Sequence, residues 1–257
     1  MKLPTIILFV LNKMITQKPN KLSKELLPYD NTVVFDESPL PKKPCNYCIL
    51  GRKGCGKTTL FLNLLNKKHS PWNKMFHTIH LFSPTAEKDD KMADLVDELM
   101  EDGQFFDELS DESIDVALEN IEQFNKQWKE KKKKGKPCHL LVYDDCIHFL
   151  KGKKSRKIDE IFTQNRHYGV YNIILLQKWN SYMPTIIRAN LDCISFFGSA
   201  NKKERKSFVD EMNMDEDLLE RLIEYSTSEP YSFLHINMYS KPTRFYKKFD
   251  RLIIDKE

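Results

Sequence analysis

The sequence predicts an α/β domain in which helices cover both faces of a mostly parallel sheet. Short apolar runs alternate with helix-length segments along the chain, a pattern typical of parallel sheets because each strand needs a crossover helix. A glycine-rich turn joins the first such run to the first helix, and two adjacent aspartates end a later run. At 257 residues, with 40% hydrophobic and 11% aromatic residues, the chain is long enough for one globular domain.

Strand and helix signals alternate from residue 43 onward. Apolar runs predict the strands, and apolar residues spaced three or four positions apart predict the helices. A long helix begins near Ser110 with acidic residues in its first turn, and Gly135 and Pro137 end it after a lysine-rich stretch. The predicted strands span 45–50, 78–83, 140–145, 170–176, 193–198 and 231–239, and the predicted helices span 57–67, 88–101, 110–134, 155–166, 184–190, 202–212 and 215–225.

The glycine-rich turn is a complete phosphate-binding motif, G-x-x-x-x-G-K-[ST]. Glycines are needed because backbone N–H groups must point inward around phosphate oxygens, and a Cβ would block that approach. Lys57 is predicted to contact the β- and γ-phosphates, and Thr58 to bind Mg²⁺ through its hydroxyl. Strand before and helix after favour a nucleoside triphosphate ligand over a chance match. The predicted nucleotide-binding residues are Gly51, Arg52, Lys53, Gly54, Cys55, Gly56, Lys57, Thr58 and Thr59.

Polar residues at the ends of two other predicted strands complete a candidate catalytic site. Asp144 and Asp145 end one strand, and Gln177 follows the next. Because the carboxyl ends of parallel strands meet at one sheet edge, these side chains should lie near the phosphate loop. Asp144 is predicted to hold Mg²⁺ together with Thr58. Asp145 would orient or deprotonate the attacking water, and Gln177 would sense that water or the γ-phosphate; an aspartate pair that merely begins a turn is the alternative.

A positive charge for the γ-phosphate in the transition state is the remaining requirement, typically worth about 10³–10⁵ in rate. Arg166, just before the strand that ends at Gln177, is the leading candidate, and Arg188 is the second. In the usual strand order Arg166 starts its strand at the edge opposite its own nucleotide. It would then serve a neighbouring subunit and imply a ring, whereas a surface arginine without this role is the alternative.

Composition sets further bounds on partners and location. The 41 basic and 37 acidic residues are segregated, with lysine runs at 129–136, 151–157 and 202–206 that favour a polyanion partner or simply solvated loops. Six cysteines on or beside predicted strands indicate small core residues in a reducing intracellular compartment. Cys45-x-x-Cys48 lacks a second pair at zinc spacing, so no metal is expected there.

The first 40 residues differ from the rest of the chain. They are polar and proline-containing apart from an apolar run at 6–11, which is too short to span a membrane and precedes no small-residue cleavage site. No membrane span is therefore expected. Residues 1–40 are predicted to be an extended or docking segment, and residues 41–257 a P-loop ATPase domain.

The order of these motifs resembles that of the FtsK–HerA superfamily of DNA-pumping ATPases, most closely the genome-packaging ATPases of large DNA viruses and virophages. The resemblance implies a RecA-like (ASCE) P-loop fold, with Asp145 as the catalytic acid, Gln177 as the sensor and Arg166 acting in trans. Many superfamily members carry Glu where this chain has the shorter Asp145. The segments that carry the resemblance, within roughly residues 43–200, are 51–59, 140–145, 165–177 and 184–197.

The resemblance implies an ATP- and Mg²⁺-dependent motor that packages a viral genome by moving double-stranded DNA through a hexameric or pentameric homo-oligomeric ring. Capsid or portal proteins are further candidate partners, and the host cytoplasm, a viral factory or the virion are the implied locations. A basic loop after the aspartate pair offers candidate DNA contacts, with a solvated loop as the alternative. These candidates are Lys151, Lys153, Lys154, Arg156 and Lys157.

Other P-loop NTPases remain as alternatives. A non-packaging helicase or a DNA-transfer motor needs the same ATPase core and the same ring, so the motifs separate it poorly from a packaging motor. A small-molecule kinase is less favoured because no arginine-rich lid is recognised, and a GTPase because the chain has no N-K-x-D motif.

Overall fold

The computed structural model of the chain describes residues 38–66, 68, 70, 72–146, 156–179 and 183–254. The strands are β1 (Asn46–Leu50), β2 (Thr78–Phe82), β3 (Phe105–Phe106), β4 (His139–Asp144), β5 (Val170–Leu176), β6 (Cys193–Phe196), β7 (Leu234–Asn237), β8 (Arg244–Lys247) and β9 (Asp250–Leu252). The helices are α1 (Lys57–Asn66), α2 (Ala93–Glu101), α3 (Asp111–Glu130), α4 (Arg156–Tyr168), α5 (Thr185–Ala189), α6 (Lys202–Glu211) and α7 (Glu216–Ser226).

Within the described residues, all nine strands form one sheet in the order β3-β2-β4-β5-β1-β6-β7-β8-β9. The pairs from β3 to β6 are parallel, and the last three pairs are antiparallel. The predicted α/β class with a mostly parallel sheet is confirmed. The single strand predicted over 231–239 is wrong in extent, because the chain turns back after Asn237 and adds two further short strands, β8 and β9, at that edge.

The sheet separates two hydrophobic cores. Alternate residues of β1 enter different cores, as the two-residue period of a strand requires. Tyr47 and Ile49 pack with apolar residues of α1 and α2, whereas Cys48 and Leu50 pack with those of α3 to α7. Helices therefore cover both faces of the sheet, as predicted. This double cover buries β1, β4 and β5 along their whole length.

Helix boundaries differ from the predicted ones where capping and turns intervene. Ser110 caps α3 through a capping box in which it exchanges hydrogen bonds with Ser113, at 3.1 and 2.9 Å. The same helix ends at Glu130, earlier than predicted. The helix predicted from residue 88 begins instead at Ala93, after a short 3-10 turn at Ala86–Lys88.

Two further findings concern the expected absence of a membrane span and the predicted docking segment. No helix of the described residues is long and apolar enough to cross a membrane. The predicted docking segment, residues 1–40, lies outside the described residues except at its end, where the carbonyl oxygen of Pro39 accepts hydrogen bonds from His235 Nε2 and Asn237 Nδ2 at 2.8 and 3.0 Å.

Candidate nucleotide-binding and catalytic site

The predicted site lies at one edge of the sheet because β5 separates β1 from β4. Leu50 at the end of β1 is in register with Leu176 of β5, and Asp144 at the end of β4 is in register with Leu175. The three carboxyl ends therefore lie side by side. The phosphate loop (residues 51–56) follows the first, the aspartate pair the second, and Gln177 the third.

The phosphate loop is anchored at both ends. The Gly51 N–H donates to the Leu176 carbonyl at 3.0 Å, which ties the start of the loop to β5. The Leu60 N–H donates to the Gly56 carbonyl at 2.8 Å, which ties its end to the first turn of α1. Since the first N–H groups of a helix have no partners within the helix, the ten-residue α1 directs them at whatever the loop encloses.

Glycines shape this loop for close backbone approach. A Cβ on Gly51 would lie 2.6 Å from Cys55 Sγ and 2.7 Å from Phe197 Cβ, which is closer than real atoms come. Gly54 and Gly56 have φ angles of +79° and +108°, which other residues adopt at a cost. The glycines thus keep side chains away from the loop backbone at these positions, which fits a phosphate-binding cradle.

Lys57 lies inside the loop. Its side chain is buried, and Nζ donates to the carbonyl oxygens of Gly51 and Arg52 at 2.9 and 3.3 Å. Thr58 and Thr59 line the same cleft, which has a volume of about 1660 Å³ and is large enough for a nucleoside triphosphate. The ammonium group is therefore placed to contact phosphate oxygens bound by the loop.

Asp144 is a buried carboxylate at the floor of this cleft. The Ser83 hydroxyl donates to Asp144 Oδ2 at 3.0 Å from the end of the neighbouring strand β2. Burial and the adjacent charge of Asp145 raise the pKa of Asp144 to about 6, against the lowering effects of the Ser83 hydrogen bond and the Lys57 charge. A hard divalent cation stabilises such an ionised carboxylate, so Asp144 and Thr58 suit Mg²⁺.

Asp145 and Gln177 form a hydrogen-bonded pair across the ends of β4 and β5. Gln177 Nε2 donates to both carboxylate oxygens of Asp145, at 3.0 and 2.8 Å. The amide must turn its nitrogen to the carboxylate because its oxygen would be repelled. Asp145 also has a φ of +50°, a left-handed conformation that is uncommon outside glycine.

Arg166 lies far from these groups and falls within the helix predicted over 155–166, before the start of β5. It belongs to the last turn of α4, which continues to Tyr168 until Gly169, with a φ of +70°, ends it. The Arg166 side chain is 61% exposed, with Nη2 3.8 Å from Asp192 Oδ1. Its guanidinium carbon lies 5.3 Å from the ring centroid of Tyr239. The edge opposite the phosphate loop therefore presents an accessible guanidinium.

Arg188, the second candidate, has structural partners. Its Nε lies 3.3 Å from Glu211 Oε2, and its Nη2 donates to Thr185 Oγ1 at 3.3 Å. The same glutamate oxygen accepts a hydrogen bond from Trp179 Nε1 at 2.8 Å. Because its side chain is only 19% exposed, Arg188 joins α5 to α6 and is the poorer candidate for a charge offered to another subunit.

Most of the predicted basic loop lies outside the described residues. This applies to Lys151, Lys153 and Lys154, and of Arg156 only its place as the first residue of α4 is described. Lys157 contacts the Asp115 carboxylate on α3 as an ion pair. Its side chain therefore has an acidic partner within the subunit, which weakens its candidacy as a DNA contact.

The comparisons with known proteins agree with this geometry. Residues 32–225, most of the chain, match the family described as poxvirus A32 protein. The chain belongs to the poxvirus A32 protein family. This membership confirms the predicted kinship with proteins of large DNA viruses. A further relative is the uncharacterized protein 075L of Invertebrate iridescent virus 6, which is 26% identical over 159 residues.

That match covers 62% of this chain and spans little more than half, 56%, of the iridescent virus protein.

Solved structures share the fold of the A32-family chain. The genome-packaging NTPase B204 of Sulfolobus turreted icosahedral virus 2, with AMP, gives a TM-score of 0.54 at 19% identity over 80% of this chain and 98% of B204.

B204 of Sulfolobus turreted icosahedral virus, described as a DNA-packaging ATPase, gives a TM-score of 0.53 at 23% identity over 80% of this chain and 98% of its own. The pCW3 conjugation coupling protein TcpA, with ATPγS, gives 0.50 at 11% identity over 83% and 61% of the two chains. The shared fold confirms the predicted P-loop class.

Two residues at this site are absent from the set predicted from the sequence, one that contacts Asp144 and one that lines the cleft. The sequence predicts Ser83 only as the end of a strand, although a hydroxyl at the carboxyl end of the strand beside Asp144 is a usable signal. Tyr231 lines the cleft beside Gly56 and was assigned to the start of the last strand. No spacing rule connects Tyr231 to a loop that lies so far away in sequence.

Proposed function

We propose that this A32-family chain is an ATP- and Mg²⁺-dependent motor that packages viral DNA as a homo-oligomeric ring, within the infected cell. The observation that carries the proposal is the convergence of a phosphate loop, a buried aspartate and an Asp–Gln pair on one sheet edge, with an exposed arginine at the other. The family and the fold shared with viral packaging NTPases support the same reading.

The phosphate loop and α1 would hold the triphosphate. The loop N–H groups face the phosphate oxygens, and Lys57, already directed into the loop, neutralises the β- and γ-phosphates. Thr58 and Asp144 would hold Mg²⁺, with Ser83 fixing the carboxylate by its hydrogen bond. When bound, Mg²⁺ would orient the phosphates and stabilise the negative charge that develops on them.

Asp145 would activate the attacking water. One of its oxygens must accept a hydrogen bond from the water and direct a lone pair of the water oxygen at the γ-phosphorus. Gln177 holds the carboxylate in place by donating to both of its oxygens. The pair therefore also provides a sensor, since any movement of Gln177 repositions the group that activates water.

Arg166 would complete the site of a neighbouring subunit. It precedes β5, whose parallel partner β1 runs five residues from Asn46 to the phosphate loop. At about 3.3 Å per residue this strand is roughly 16 Å long, more than an arginine side chain can span. Arg166 thus cannot serve the nucleotide of its own subunit, and a head-to-tail contact that closes into a ring supplies the alternative.

The motor would bind DNA through the DNA phosphates. A packaging motor must act on any sequence, so its contacts should be electrostatic and strongly dependent on salt. The basic loop at 151–157 follows the catalytic aspartates in the chain, which would couple its position to the state of the nucleotide. Capsid or portal proteins would bind the assembled ring.

ATP hydrolysis measured with and without duplex DNA tests this proposal. The unmodified protein should hydrolyse ATP faster with DNA, and Lys57→Ala should abolish hydrolysis. Arg166→Ala should abolish it while still binding nucleotide. Hydrolysis that is indifferent to both DNA and Arg166 would contradict the motor and leave a generic P-loop ATPase. A forked duplex that is unwound, rather than traversed intact, would favour a helicase.

A further inference from the structure

One flank of the phosphate loop carries aromatic residues that the reaction described above does not use. Phe197 directly follows β6, and Phe233 directly precedes β7. Tyr231 and Phe249 come from the turns before β7 and after β8. All four line the cleft that contains the phosphate loop. We refer to Phe197, Tyr231, Phe233 and Phe249 as the aromatic shelf.

The order of the strands decides which part of a nucleotide meets this shelf. Asp144, Asp145 and Gln177 follow β4 and β5, on one side of β1. The terminal phosphate must point toward them, because they hold the metal and the water. The nucleoside must therefore leave the loop on the other side of β1, where β6 and β7 lie. That is the side of the aromatic shelf.

Tyr231 is the exposed member of the shelf. Its side chain is 71% exposed, more than any other large hydrophobic residue reported as exposed among the described residues. Its ring carbon Cδ1 lies 3.4 Å from the position that a Cβ on Gly56 would take, so the ring borders the phosphate loop directly. An aromatic ring left uncovered beside a ligand cleft is available to stack on a planar ligand group.

Tyr231 lies in a tight turn with a strained backbone conformation, and its ring is exposed at this turn. The Ser232 N–H donates to the Glu229 carbonyl at 3.2 Å, closing a turn with Pro230 in its second position and Tyr231 in its third. Tyr231 has a φ of +58°, and turns of this kind favour glycine in the third position. A bulky residue there costs stability and is found mainly where function requires its side chain.

The other shelf residues pack against one another at the base of the cleft wall. Phe233 is almost fully buried, and its ring centroid lies 4.9 Å from that of Phe197 and 5.4 Å from that of Phe249. The Lys248 N–H donates to the Phe233 carbonyl at 2.8 Å, which ties the turn after β8 to β7. The shelf is thus a packed part of the sheet edge, and Tyr231 is its most exposed member.

We propose that Tyr231 forms a base-stacking subsite that binds the nucleobase of ATP against the aromatic shelf. The subsite rests on the proposed nucleotide-binding function and adds to it the group that recognises the base. Stacking tolerates any base because every base has a π-face. The subsite therefore contributes affinity without choosing adenine over guanine, and the loss of the ring should weaken binding of both nucleotides alike.

Direct titration of the protein with ATP, GTP and inorganic tripolyphosphate, each in the presence of Mg²⁺, separates base binding from phosphate binding. Tripolyphosphate carries the phosphates and has no base. Tyr231→Gly should weaken ATP and GTP binding by roughly 10- to 100-fold, as expected for one lost base–aromatic stack. Tripolyphosphate affinity should stay within about twofold, since the phosphate loop remains. Tyr231→Phe should keep the affinity of the unmodified chain for all three.

Tyr231→Gly is chosen because glycine suits the positive φ, so the variant should be at least as stable thermally as the unmodified chain. Tyr225→Ala, which removes a half-exposed tyrosine that does not line the cleft, is the matched control and should leave all affinities unchanged. Unchanged ATP affinity in Tyr231→Gly, or an equal loss for ATP and tripolyphosphate, would overturn the subsite. Failure of the unmodified chain to bind even tripolyphosphate would instead contradict the proposed function.

Discussion

Two substitutions of Gln177 remove its hydrogen bonds to Asp145 in different ways, and they should lower the activity to different extents. In Gln177→Ala the carboxylate loses its amide donor, a hydrogen bond to a charged group worth about 1.5–3 kcal/mol in general and less here because Gln177 is exposed. In Gln177→Glu the donor, 2.8 and 3.0 Å from the two Asp145 oxygens, becomes a second carboxylate at the same place. Even at the dielectric constant of water, like charges about 3 Å apart repel by about 1.4 kcal/mol.

The glutamate variant should therefore be the slower one. We expect Gln177→Ala to lower kcat roughly 10-fold and Gln177→Glu to lower it about a further 10-fold, since 1.4 kcal/mol corresponds to a factor of ten. The assay is steady-state ATP hydrolysis with saturating DNA, beside the affinity for a non-hydrolysable ATP analogue. That affinity should change little, because the pair would contact the attacking water and not the phosphate loop.

A double variant checks the geometry. Asp145→Asn combined with Gln177→Glu restores an amide–carboxylate hydrogen bond with its direction reversed. It should recover the thermal stability lost in Gln177→Glu but not the activity, because the group that activates water is now a neutral amide. A Gln177→Glu variant as active as Gln177→Ala would refute the reasoning, since the two side chains could not then be in contact in the working enzyme.

Two further predictions concern Mg²⁺ binding and acid stability. Ser83→Ala removes the hydroxyl that donates to Asp144, so the Mg²⁺ concentration for half-maximal hydrolysis should rise roughly 5- to 10-fold, with Ser83→Thr retaining most of the affinity. Burial lowers the pKa of His80, His139 and His235 to about 4, against 6.5 when unfolded. The unfolded chain thus binds more protons at these residues between pH 4 and 6.5, so the histidine contribution to the unfolding free energy should be constant above pH 6.5. It should fall below that pH, by up to about 3 kcal/mol per histidine at pH 4. Urea unfolding at several pH values measures this, and a midpoint that does not change from pH 7.5 to 5 would contradict it.

The residues at the sheet edge that carries the phosphate loop were predictable, because short contiguous segments of the sequence determine their positions. The phosphate loop needs its glycines and lysine in one contiguous run. Asp144 ends an apolar strand, and Asp145 and Gln177 each directly follow one. Parallel strands then bring these short segments together without further information. The Asp–Gln hydrogen bond itself was not predicted, because it depends on β5 lying beside β4 and on the left-handed backbone at Asp145.

What the sequence analysis missed depends on contacts between distant segments. The strands β8 and β9 are four and three residues long and mostly polar, so no periodic pattern marks them. They become strands by pairing with β7. Tyr231 reaches the phosphate loop only because β6 and β7 continue the sheet beyond β1. The helix that contains Arg166 ends at Tyr168 rather than at the predicted residue 166, because the helix continues to the glycine that ends it.

The shared active site is the central claim, and mixing two inactive variants tests it most directly. Lys57→Ala retains Arg166 but lacks a working phosphate loop, and Arg166→Ala retains the loop but lacks the arginine. Each should be inactive alone in DNA-stimulated ATP hydrolysis. If Arg166 acts on the neighbouring subunit, mixed rings contain interfaces with one intact loop and one intact arginine, so the mixture should recover part of the activity. If subunits exchange into mixed rings and no activity returns, Arg166 does not act in trans and the account is contradicted.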